Sequence, residues 1–125
     1  MTTQMTIITE IPSVMHFVAL LKKNPGIFII KMGADWCGPC KKIASFVDNM
    51  IEHAPPNSQI AVIDIDECFE LYAYLKNKKM VNGIPALLCY YKGNEHYAPD
   101  DFISGTDENE ISKFFERSYK HANGL

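Results

Sequence analysis

The sequence predicts an α/β domain whose central sheet is mixed, and three observations carry that expectation. Two near-continuous apolar runs, at 27 to 32 and 59 to 66, have the look of strands covered on both faces. A helix-length segment separates them, which is the distance a parallel crossover needs. Near the end, the run at 86 to 91 and a short stretch around "FIS" are joined through Lys92-Gly93, a turn suited to antiparallel pairing.

The elements follow in order. Residues 6 to 9, "TIIT", are short and β-branched and read as an edge strand. Pro12-Ser13 starts a helix that presents Val14, Phe17, Val18 and Leu21 on one face, and Asn24, Pro25 and Gly26 stop it. "IFIIKM" is the central strand, with Lys31 as its one charged residue. Ile43, Phe46, Val47 and Met50 mark the next helix, broken by "HAPPN" at 53 to 57. "QIAVIDID" reads as a second inner strand. "ECFELYAYLKN" suggests a helix packing through some of Cys68, Leu71, Tyr72 and Leu75, and it ends before Gly83-Ile84-Pro85. After the strand pair, Ile111, Phe114, Phe115 and Tyr119 form the buried face of a last helix capped by Thr106 or Asp107.

The 125 residues show no composition shift, repeat or low-complexity tract, so the expectation is a single domain over 1–125. Twelve Lys plus Arg against fifteen Asp plus Glu leave no broad basic footprint, which argues against nucleic acid or anionic lipid as partner. No apolar run is long enough to cross a bilayer, since Lys22, Lys23 and Lys31 interrupt the candidates. The first residues lack a basic n-region and a small-residue cleavage site, and Thr2, Thr3, Gln4, Thr9 and Glu10 break up their apolar positions. A cytoplasmic protein is expected, and there Cys37, Cys40, Cys68 and Cys89 would stay mostly reduced rather than form a structural framework.

The chemistry gathers at "GADWCGPCKKI", residues 33 to 43. Two cysteines three positions apart in a first helical turn lie roughly 5 Å apart at their Cα atoms, within reach of a disulfide. Cys37, at the helix start, gains from the backbone amides and the positive end of the helix dipole, which favour a thiolate. Cys40 sits one turn further in and is expected to be the more shielded. Cys37 is therefore the nucleophile that attacks a target disulfide, and Cys40 resolves the mixed disulfide by attacking Cys37. Gly38 removes bulk near the attacking sulfur, Pro39 has a ring-fixed φ suited to an early helical position, and Trp36 offers a flat apolar shelf. Two other readings stand beside this one. A zinc site would need a second pair, whereas Cys68 and Cys89 are twenty-one positions apart with no local partner. Inert buried thiols leave the intervening Gly-Pro and the preceding Trp without a reason.

On these residues the sequence resembles the thioredoxin family. "WCGPCK", "ADWCGPCKKI", the strand "AVIDID", the segment "GIPALLCYYKG" and Gly105 before the last helix occur in the family's order over roughly residues 6 to 119. The resemblance implies a thioredoxin fold, with a central five-stranded mixed sheet flanked by four helices. It also implies a cis Ile84-Pro85 bond facing the active site, exposing the preceding backbone to an extended client segment. Trp36, Gly38, Pro39, Gly83, Ile84, Pro85 and Gly105 would line the client groove. The Gly-Pro dipeptide is similar to that of reducing members, whereas oxidising or isomerising relatives usually carry His where Pro39 stands. The implied activity is reduction of disulfides in client proteins by a monomer with no metal or organic cofactor, recharged by an NADPH-dependent thioredoxin reductase.

The departures are informative. The family usually buries an aspartate five residues before the motif tryptophan, to serve the resolving cysteine; here that position is Lys31, and the lysine that often neighbours it aligns with Val62. Lys31 is either a third catalytic group, acting on Cys40 as neutral base or as thiolate-stabilising ammonium, or a side chain whose stem packs inward while its head reaches water. Gly33 replaces a residue that is commonly aromatic, and "NEHYAPDDFIS" is longer than the family norm. His96, Asp100 and Asp101 lack ligand-like spacing and read as solvated surface; His16, His53 and His121 read as helix-surface residues. Cys68 and Cys89 read as packing residues, with a second regulatory disulfide as the alternative. Two further function classes remain: a thioredoxin-fold docking subunit with relaxed catalytic demand at Lys31 and Val62, and a thiol oxidase or isomerase.

Overall fold

The computed structural model describes residues 6–125; the Thr2, Thr3 and Gln4 of the sequence reading lie outside them. Its elements run α1 (Val14–Lys22), β1 (Ile27–Gly33), α2 (Gly38–Glu52), β2 (Ser58–Asp64), α3 (Phe69–Asn77), β3 (Ala86–Tyr91), β4 (Asp101–Ser104) and α4 (Glu108–Asn123). The sheet order is β2-β1-β3-β4. β1 pairs parallel with β2 across the α2 crossover, while β1 with β3 and β3 with β4 are antiparallel, as the connection lengths require.

Alternation along β1 divides the interior. Phe28, Ile30 and Met32 point to one face, where Phe17 and Leu21 of α1 and Leu71 and Leu75 of α3 cover them. Ile27 and Ile29 point to the other, beneath Ile43, Val47 and Ile51 of α2 and Ile111, Phe114 and Phe115 of α4. A strand buried on both faces must be apolar at consecutive positions, which explains "IFIIKM". Side-chain caps fix the helix starts: Ser13 Oγ accepts the His16 N–H at 3.1 Å, and Asp107 Oδ1 accepts those of Asn109 and Glu110 at 2.9 and 3.2 Å.

One expectation needs correcting. Among the described residues the sheet has four strands, not five: "TIIT" contributes a single parallel bridge, Ile8 to Ala61. The Ile8 N–H donates to Ile60 O at 2.9 Å and Ile8 O accepts from Val62 N at 2.8 Å, after which the chain leaves the edge of β2. Ile11 is fully buried and its N–H donates to Cys68 Sγ at 3.4 Å, while Pro12 has no N–H to offer a ladder. The pull of the core on Ile11 ends the pairing, so among the described residues β2, expected as an inner strand, is an outer strand flanked by this bridge.

The register brings remote segments to one rim. Gly33 ends β1 opposite Asp64 at the end of β2; Met32 pairs with Ala86 at the start of β3, and Ala86 with Ser104 at the end of β4. The cysteine motif, the Gly83–Pro85 turn and Gly105 all emerge there.

Candidate active site

Cys37 is the N-cap of α2, with extended backbone (φ −84°, ψ 104°), and its Sγ accepts the Cys40 N–H at 3.2 Å. Pro39 fits the first turn because its absent N–H is one that the helix would leave unpaired. The Cys37 and Cys40 sulfurs are bonded, with Cα atoms 5.3 Å apart. This is the disulfide state of a pair that the helix start holds in bonding range.

The two sulfurs differ in what surrounds them, not in exposure. Cys37 is 4% exposed and Cys40 6%, so the oxidised pair does not show the greater shielding expected for Cys40. Cys37 Sγ lies 4.0 Å from the carbonyl oxygen of Ile84. Cys40 backs onto β1: a Cβ added at Gly33 would stand 3.4 Å from its Sγ. Behind it opens a cavity of about 370 Å³ whose walls include Lys31, Gly33, Cys40, Ala44, Val62 and Asp64.

Lys31 is 8% exposed, flanked in register by Val62 and Leu87, and reaches this cavity from the sheet floor. Its cross-strand neighbours, Val62 and Leu87, are both apolar and offer the ammonium no partner.

On the Cys37 side, the Ile84–Pro85 peptide is cis, and Pro85 O accepts the Gly105 N–H at 3.1 Å. Gly105 has φ +97°, a backbone conformation that favours glycine. Gly38 and Pro39 are exposed, and Gly83 and Ile84 half-buried. The structure thus gathers the cysteine pair, Ile84, Pro85 and Gly105, with Lys31 on the opposite side of Cys40. Trp36, 66% exposed, is tethered by its Nε1, which donates to Asp66 Oδ2 at 2.7 Å. Sequence reasoning passed over Asp66. Thirty positions separate it from Trp36, and the only signal was an acidic side chain just past a strand that ends beside the motif.

The remaining candidates have structural duties. Asp100 Oδ2 accepts the Tyr91 N–H at 2.7 Å, and Asp101 takes both Arg117 Nε at 2.7 Å and Nη2 at 3.2 Å, fastening the long loop and β4 to β3 and α4. The pair is therefore more than solvated surface, and no metal-binding cluster occurs among the described residues. His121 stacks on Tyr91, with ring centroids 3.6 Å apart. Cys68 and Cys89 are buried free thiols on opposite faces of the sheet, which rules out a bond between them. Burial pushes the Cys89 thiol up to about 12, against a smaller opposing effect of its Ser118 hydrogen bond. No helix among the described residues is long and apolar enough to cross a membrane.

Comparison with known proteins adds the following. Residues 9–117 match the thioredoxin family model. Thioredoxin 3 of Plasmodium falciparum is 26% identical over 89 residues, covering 71% of this chain and 46% of that protein. Putative thioredoxin-5 of Dictyostelium discoideum is 33% identical over 73 residues, covering 58% of this chain and 67% of the relative. The chain thus spans about half the length of the first of these and two thirds of the second. Among solved structures, Fasciola hepatica thioredoxin superposes with a TM-score of 0.69 at 24% identity, over 91% of this chain and 99% of that one.

Proposed function

The chain belongs to the thioredoxin family, and from that premise we propose that it is a protein-disulfide reductase cycling between the Cys37-Cys40 dithiol and disulfide. The observation that carries this reading is the bonded pair at the mouth of α2, with one sulfur beside the backbone of Ile84 and the other against the sheet. In the reduced protein the Cys37 thiolate, favoured by the helix start, attacks one sulfur of a client disulfide. A mixed disulfide forms and the client's other sulfur leaves as a thiolate. Cys40, losing its proton, then attacks Cys37 Sγ; the second client thiolate departs, and the bond seen here closes. Two electrons pass to the client, and the thiolates take protons from solvent.

Trp36, Gly38, Pro39, Gly83, Ile84, Pro85 and Gly105 form the client groove, in which an extended segment pairs with the backbone at Ile84. Lys31 serves Cys40 from the cavity, holding the charge of the thiolate or taking the proton it releases. Clients are disulfide-containing proteins. An NADPH-dependent thioredoxin reductase recharges the pair, the protein acts as a monomer built of one domain, and its compartment is the cytoplasm, where buried free thiols such as Cys68 and Cys89 persist.

Insulin reduction driven by dithiothreitol is the test. The wild-type chain should accelerate precipitation of the insulin B chain well above a Cys37→Ser control. Equal rates would leave a docking subunit as the better reading.

A further inference from the structure

Lys31 is the one charged side chain of β1, 8% exposed, and among the described residues it has neither a hydrogen bond nor an ion pair. A buried ammonium without a partner is costly. It reaches a cavity of about 370 Å³, a volume in the range of small-ligand sites, whose room comes from the short side chains of Gly33, Ala34 and Ala44.

The sheet register sets a carboxylate near this cation without joining the two. Lys31 pairs with Val62 and Gly33 with Asp64, so Lys31 and Asp64 rise from the same face of adjacent strands. That face is the one beneath α2, since a Cβ added at Gly33 would stand 3.4 Å from Cys40 Sγ. One strand across and two residues along, the Cα atoms of Lys31 and Asp64 are about 8 Å apart. No salt bridge links them. Asp64 is half-buried and fixed, its Oδ1 accepting the Asp66 N–H at 2.8 Å, while its Oδ2 has no hydrogen bond among the described residues. Both charges line the cavity, and β1 places only Gly33 beside the gap between them.

We propose that this cavity binds a small apolar α-amino acid, its carboxylate on the Lys31 ammonium, its ammonium on the Asp64 carboxylate and its side chain against Ala44 and Val62. The inference goes beyond the reductase reading and does not depend on it. Trp36, Ile84 and Pro85 are not among the cavity walls, so a client and this ligand occupy different places.

The charges of the lining select a zwitterion. A simple anion would satisfy Lys31 but would meet the carboxylates of Asp35, Asp64 and Glu67, which outnumber the cations Lys31 and Lys41. A simple cation would leave Lys31 as unpaired as before. A molecule with both charges on one carbon is short enough to bridge side chains on neighbouring strands, and it satisfies each end with a charge-assisted hydrogen bond. Lys31 is the deeper end, because Asp35, Lys41 and Glu67 are exposed at the rim.

The test is titration of the oxidised full chain with L-valine, followed in the amide NMR spectrum. Saturable shifts should appear at Gly33, Val62 and Asp64, with Ile84 and Gly105 unmoved. Isovalerate, which lacks the ammonium, and isobutylamine, which lacks the carboxylate, should each bind at least tenfold more weakly, the scale of one lost charged hydrogen bond. These comparisons use the wild-type chain, so they hold whatever a substitution does to folding. Lys31→Met and Asp64→Asn should each weaken valine at least tenfold, and Ala44→Leu, which fills the cavity, should do the same. Absence of a saturable shift, isovalerate or isobutylamine binding as tightly as valine, or unchanged affinity in both Lys31→Met and Asp64→Asn overturns the proposal.

Discussion

Trp36 and Asp66 are joined by a 2.7 Å hydrogen bond between an exposed indole N–H and a carboxylate, and this bond holds the indole ring to the loop after β2. Asp66 is itself set by its N–H, which donates to Asp64 Oδ1 at 2.8 Å. Asp66→Ala removes a charge-assisted acceptor at a solvated site, so the expected loss of stability is below about 1 kcal/mol. Client handling should suffer more: KM for insulin should rise about threefold with kcat little changed, as expected when a positioning contact is lost. Trp36 is the only tryptophan, so its fluorescence anisotropy reports directly on the ring. Anisotropy equal to wild type would mean that Asp66 does not hold it.

The buried acids of the α2 and α4 side make alkaline pH destabilising. Burial is the largest cause of the upward shifts of Cys89 and Tyr119, and on the other face of Tyr90. Each group stays neutral in the folded protein over a range where the unfolded chain ionises. The unfolded state then binds fewer protons, and stability falls with pH. For Cys89 the window opens near its ordinary value of 9.0 and closes at about 12. Within it each such group contributes a slope of about 1.4 kcal/mol per pH unit. Urea titrations from pH 8 to 11 should show the decline, and Cys89→Ala should make it shallower. A flat profile to pH 11 would contradict the burial argument.

How far the sequence disclosed the molecule depended on the range of the forces involved. The helices and the central strand β1 were legible because periodicity and caps are local: Phe17 and Leu21, Ile43 and Val47, and Ile111, Phe114 and Phe115 all face inward as their spacing requires. "TIIT" was not, because its β propensity lost to a tertiary demand, the burial of Ile11 and the start of α1 at Ser13. In the site, Cys37, Cys40 and the Gly-Pro between them announced themselves by spacing. The Asp66 tether and the cavity beside Gly33 did not, since one joins residues thirty positions apart and the other is empty space made by side chains that are absent.

At the end of α2 away from the cysteines, Tyr119 Oη donates to Met50 O at 2.6 Å, satisfying a carbonyl in the last helical turn. Tyr119→Phe keeps the ring against Phe115 and removes only this bond. The expected loss is about 1 kcal/mol, or a fall of roughly 3–5 °C in Tm for a chain of this size. Reduction of insulin below the transition should be unchanged, because the lost contact lies at the other end of the helix. A slowed reaction in this variant would show that the C-terminal anchorage of α2 is felt at its cysteine end.

Lys31 gives the sharpest prediction because stability and activity should move in opposite directions. Its side chain stands on a strand buried at every position, between Val62 and Leu87, and ordering an ammonium there costs desolvation that an apolar residue of similar length would avoid. Lys31→Met should therefore raise stability by about 1 kcal/mol, read from urea unfolding. The same change deprives Cys40 of the one cationic group rising from the sheet floor beside it. Resolution of the mixed disulfide should slow roughly fivefold to tenfold, and its pH dependence should lose whatever Lys31 contributes. Stopped-flow reduction of a client across pH 6 to 9 measures both. If Lys31→Met is more stable and keeps the wild-type rate and pH profile, the lysine is a packed stem with a solvated head and takes no part in the chemistry.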